Sequence, residues 1–90
     1  MRVKFFATFR DITQCKEESV QATGDVWELL QSLCDRYLGF RAKLIDPGGT
    51  EVHAEAIVLV NGRDISHLDG KGTLLREEDV VSLFPVVAGG

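Results

Sequence analysis

The side chains in this sequence that could do chemistry are few and scattered. Cys15 and Cys34 lie far apart with no Cys-x-x-Cys pair, so they do not read as a metal or redox site. His53 and His67 match no zinc spacing with them. Arg76-Glu77-Glu78-Asp79 sets three acids in a row, either a solvated turn before a strand or a docking patch for a basic partner. What remains is backbone. The sequence closes on Phe84-Pro85-Val86-Val87-Ala88-Gly89-Gly90. Glycine has no Cβ, so Gly89-Gly90 makes the thinnest and most permissive backbone available. Pro85 fixes its own φ and has no N–H, so it is expected to end sheet pairing and stiffen the exit. The internal Gly48-Gly49 reads as a turn.

Composition narrows the field. Ninety residues make one domain, and a hydrophobic fraction of 44% is that of an ordinary globule. A net charge of −4 argues against nucleic acid, which selects basic surfaces. The longest aliphatic run, Ala56 to Val60, is too short to span a membrane. Lys4, Thr8 and Arg10 interrupt the apolar start, so no signal peptide is expected. The expected compartment is cytoplasmic, with both cysteines reduced. Two cysteines cannot ligate an iron–sulfur cluster, which needs four. No metal site and no bound cofactor are expected.

The elements follow from periodicity. Arg2 to Phe9 reads as a strand, with Val3, Phe5, Ala7 and Phe9 on one face and Lys4, Phe6 and Thr8 on the other. A polar turn over Arg10 to Lys16 leads to a second strand, Glu18 to Ala22, paired back on the first. Asp25 and Glu28 form a capping box for a helix. Val26, Leu29, Leu30, Leu33, Cys34 and Tyr37 make its apolar stripe, with Trp27 and Leu38 at the edge and Gly39 as the C-cap. Lys43 to Ile45 and Glu51 to His53 flank the Asp46-Pro47-Gly48-Gly49 turn and suggest a small hairpin. Ile57 to Val60 is a buried-type strand ended by Asn61-Gly62. Gly70 to Thr73 is loop, anchored by Leu74-Leu75, and Asp79 to Phe84 is the last strand. The fold class is α+β: a mixed sheet of four to five strands on one main helix, a β-grasp (ubiquitin-like) fold over residues 1–85, with residues 86–90 as a flexible C-terminal functional tail.

Phase singles out two aromatics. Phe6 and Phe84 are out of register with the apolar sets around them, so both should face away from the helix. Exposed aromatics on one sheet face mark an interface.

The chain resembles the prokaryotic ubiquitin-like sulfur carriers, and among them most resembles the small subunit of molybdopterin synthase and the thiamine carrier type. The resemblance rests on the end, Asp79 to Gly90, on the opening Val3 to Arg10, and on Val60-Asn61-Gly62. Val86 stands where the family usually has a second proline. The resemblance implies that the Gly90 carboxylate, carried by Gly89, is adenylated by a ubiquitin-activating-type enzyme using ATP and Mg. A sulfur donor then converts it to a thiocarboxylate. Phe6, Phe84, Pro85, Val86, Val87 and Ala88 would meet the partners, among them the molybdopterin synthase large subunit or another sulfur acceptor. The chain would be a co-substrate with no catalytic side chain of its own. Two further readings stay open: a modifier joined to lysines through Gly90, and a binding module with an inert tail. Carriers for thiamine, tRNA thiolation or tungsten cofactors would look alike.

Overall fold

Alternation at the start of the chain builds the first strand, β1 (Arg2–Phe5), with Val3 and Phe5 fully buried and Arg2 and Lys4 facing outward. The computed structural model describes residues 1–22 and 24–86. β1 stops four residues earlier than the alternation predicts. Ala7 turns the backbone at φ 53°, and Thr8–Thr13 forms a short helix, α1, where a strand end and a polar turn were expected. The reason is Phe9. It is 1% exposed and packs edge-on against Phe40 with 5.2 Å between centroids, so burial of one ring overrides weak local propensity. Ala7, expected on the inner face, is exposed.

β2 (Glu17–Ser19) pairs antiparallel with β1. α2 (Val26–Arg36) is the main helix. Asp25 accepts from the Glu28 N–H at 2.9 Å, and Glu28 reaches back to the Asp25 N–H, the expected capping box. Val26, Leu29, Leu30 and Leu33 are buried, as the stripe requires; Cys34 and Tyr37 are half-buried. Leu38 is 99% exposed, so it lies outside the stripe's edge. The helix closes at Tyr37, and Gly39, at φ 89°, sits two residues beyond and turns the chain into α3 (Arg41–Leu44).

That single helical turn replaces half of the expected hairpin. Leu44 is fully buried from this turn, and of the expected hairpin one bridge, Ile45 to Val52, remains. The Asp46 to Gly49 turn forms, with Asp46 accepting the N–H groups of Thr50 and Glu51. β3 (Ala56–Val60) and β4 (Arg63–Asp64) make a hairpin across Asn61-Gly62. Both turn residues have positive φ, 51° and 84°, the type I′ geometry that Asn-Gly favours. Ile65–His67 and Gly70–Gly72 are short 3₁₀ turns. Leu75 is buried and anchors this region, while Leu74 is 73% exposed.

β5 (Val80–Pro85) runs through the middle of the sheet, parallel to β1 and antiparallel to β3. The order is β2-β1-β5-β3-β4, five strands with α2 across the inner face: the expected β-grasp arrangement. Among the described residues no helix is long and apolar enough to cross a membrane.

Candidate functional site

The last strand is held on both sides, so the start of the tail is placed by ladder bonds. Val81 and Leu83 of β5 are fully buried. Alternation then turns Val80, Ser82 and Phe84 to the outer face. Phe84 is opposite Ile57, and Leu59 is opposite Ser82, so Ile57 and Leu59 share that face. The alternation within Ile57 to Val60 is thereby settled: Val58 and Val60 go inward.

On the other flank Phe6 donates its N–H to the Leu83 carbonyl at 3.2 Å. This brings its ring onto Phe84: the two stack with centroids 4.2 Å apart and planes 8° from parallel. Both rings are half-buried. The two aromatics singled out by phase therefore form one outward cluster with Ile57, at the end of the sheet where the tail begins.

Pro85 does not end the pairing. It still stands opposite Ala56, and the Val86 N–H donates to the Glu55 carbonyl at 2.8 Å. With Val86 bonded to Glu55, Pro85 and Ala56 form a non-hydrogen-bonded pair, so the proline nitrogen points away from β3 and the β3 ladder loses no bond. Val86 is 46% exposed. Val87, Ala88, Gly89 and Gly90, the remaining expected site residues, lie outside the described residues.

The other candidates separate. Cys34 is half-buried; burial raises its thiol pKa, Arg41 lowers it and Asp35 raises it, and the net rise leaves little thiolate. Cys15 is also half-buried and free. Among the described residues no group of three or more His, Cys, Asp or Glu side chains could hold a metal. His53 accepts the Glu55 N–H through Nδ1 at 3.0 Å.

The acidic run is largely structural. Asp79 is buried and accepts the Arg76 N–H at 2.8 Å and the Asn61 side-chain amide at 2.9 Å. Glu77 accepts the Ala22 N–H and lies 3.6 Å from the terminal amine of Met1. The spacing of these residues along the chain carries no sign of these partners, which are brought in by the sheet. Sequence reasoning also missed Glu18, whose carboxylate pairs with Arg36 at 2.6 Å and accepts the Tyr37 hydroxyl. That hydrogen bond raises the Tyr37 pKa, and burial adds to it. This cluster ties β2 to the end of α2.

The comparisons agree with this geometry. The chain is 41% identical over 92 residues to small archaeal modifier protein 3 of Haloferax volcanii, covering 100% of this chain and 98% of that one. It is 32% identical over 76 residues to the sulfur carrier protein CysO of Mycobacterium tuberculosis, covering 82% of each. The solution structure of small archaeal modifier protein 1 from Methanosarcina acetivorans superposes with a TM-score of 0.88 at 30% identity, covering 99% of this chain and 94% of that one. The model of the ThiS family matches residues 3–90, through the terminal glycines. The chain belongs to the ThiS family of ubiquitin-like sulfur carriers.

Proposed function

We propose that this protein carries sulfur on the carboxyl group of Gly90. A ubiquitin-activating-type enzyme adenylates the carboxylate with ATP and Mg. A sulfur donor then displaces AMP, and the resulting thiocarboxylate hands its sulfur to an acceptor. Adenylation converts a poor electrophile into a good one, and the terminal sulfur then serves as the nucleophile. No side chain of the carrier acts as acid or base. Its own residues do two things: Gly89 and Gly90 pass a narrow active site, and Phe6, Phe84, Pro85 and Val86 dock the sheet beside it.

One observation carries the reading. The family match runs through Gly90, on a chain whose central strand ends beside an outward aromatic stack. The acceptor to test first is the molybdopterin precursor, with the synthase large subunit as the docking partner, because the Phe84 to Gly90 ending resembles the small subunit of that enzyme. A second reading, a modifier joined to lysines through Gly90, is favoured by the full-length likeness to small archaeal modifier protein 3.

Intact-mass measurement of the protein from its native cell separates these. The carrier reading predicts a form heavier by one sulfur-for-oxygen exchange, absent when Gly90 is deleted or capped by extra residues, while the melting temperature is unchanged. Conjugates bearing a Gly-Gly remnant on lysine identify the modifier. Neither species in cells grown under sulfur demand overturns both.

A further inference from the structure

Charge is unevenly placed on this chain. The net charge is −4, yet four cations gather around the C-terminal end of β5. Lys43 lines one groove with Pro85 and Val86. Arg10 donates from Nε to the Phe5 carbonyl at 3.3 Å, and the Lys16 carbonyl accepts the Phe5 N–H at 2.9 Å. Phe5 itself pairs with Leu83. Lys4 faces outward on β1, two residues before Phe6. Lys16 and Lys43 are exposed; Lys4 and Arg10 are half-buried.

None of these four belongs to the five ion pairs among the described residues, which hold Arg2, Arg36, Arg41, Lys71 and the Met1 amine. Two exposed acids stand at the same end, Asp11 on α1 and Glu55 beside Val86. Glu17, opposite Lys4, is paired with Arg2 at 3.4 Å. The acids offset the cations only in part, so this end is positive and the remainder of the chain carries the negative excess. The acidic run Glu77-Glu78-Asp79 lies just before β5 starts at Val80, about 17 Å from Pro85 along the strand.

We propose that the Phe6–Phe84 surface docks on a protein partner whose contact face is apolar at its centre and rimmed by Asp and Glu. The charge separation along β5 steers this end of the chain toward that face. The proposal rests on the docking role of the stack and adds the sign of the partner, opposite to what an acidic chain suggests. The division of labour is physical. A desolvated aromatic anchor carries the affinity, and rim charges set the choice of partner and the rate of encounter. The acidic end of β5 works in the same sense, because an acid-rimmed face repels the chain when it arrives reversed.

The test is stopped-flow association of the full chain with the ubiquitin-activating-type enzyme of its own cell, without ATP, so that no transfer occurs. The association rate should fall at least about tenfold between about 0.01 and 0.5 M salt, as the screening length shrinks from about 30 Å to a few ångström. Lys16→Glu combined with Lys43→Glu should slow association about tenfold at low salt and flatten the salt dependence, with the melting temperature unchanged. Arg63→Glu combined with Arg76→Glu makes the same change in net charge at exposed positions near the start of β5, and should slow it far less. Equal slowing by the two pairs overturns the inference, because net charge alone then acts. Rates independent of salt in the wild type also overturn it, and if Phe84→Ala still abolishes binding, the docking role of the stack survives. Binding that follows the lysines but is unchanged in Phe84→Ala defeats the docking role itself, and the inference with it; charge alone then suffices, as for a nucleic acid.

Discussion

Phe6, the residue just after β1, and Phe84, on the neighbouring parallel strand β5, stack at 4.2 Å, with their planes 8° apart. Two rings in this arrangement, on the side of the sheet away from α2, bury each other only in part. The remaining half-exposed ring surface is apolar and lies two residues before the exposed Val86. On the proposed carrier reading, this surface anchors the partner whose active site takes the chain end.

Replacing one ring separates docking from folding. Phe84→Ala is expected to weaken binding to the activating enzyme or the acceptor subunit at least tenfold, about 1.4 kcal/mol. The fold should lose less than with a core truncation: the stacking and the half-buried area together contribute about 2 kcal/mol. Isothermal titration against each partner, with a parallel melt, measures both. Collapse of the isolated domain would place the ring in the core and defeat the interface assignment.

Leu33 gives the contrasting case. It is fully buried at the middle of the α2 stripe. Leu33→Ala should destabilise by roughly 2–5 kcal/mol, the range for truncating a buried leucine. Urea titration at constant m-value reads the change; a shift within error would mean that α2 does not cover the sheet in solution.

Asp46 predicts a local response to acid. The Glu51 N–H is the largest influence on its carboxyl; desolvation opposes it, and the N–H groups of Thr50 and Gly49 with the charge of Lys71 keep the net shift below the ordinary 3.8. A depressed folded-state pKa means that the contribution is present above the unfolded value and fades as the pH falls through the lower folded one. The amide signals of Thr50 and Glu51 should therefore shift together below about pH 4, and Asp46→Asn should remove that titration while keeping an acceptor oxygen. Thr50 and Glu51 amides that stay constant through this range would contradict the assignment.

The local sequence determined the elements whose signals are self-contained. The Asp25–Glu28 box and the stripe through Leu33 specify α2, because capping and 3.6-residue periodicity act within a few residues. Asn61-Gly62 specifies a tight hairpin because both φ values must be positive. Strand phase placed Phe6 and Phe84 on the outer face, because side chains alternate with a period of two.

Tertiary structure decided what depends on distant partners. Phe9 continues a strand pattern in the sequence, yet it is helical, because the ring finds Phe40 only when the chain turns at Ala7. Lys43 and Leu44 read as strand and form α3, because Leu44 must enter the core. Pro85 marks an end in the sequence, but the Glu55 carbonyl across the sheet captures the next N–H. Asp79 is one acid of a run until Asn61 and the Arg76 N–H, brought together by the β3–β5 pairing, make it a buried junction. Each of these choices is set by a contact made in space, and local propensity is too weak to oppose the burial of a ring, a leucine or a carboxylate with its partners.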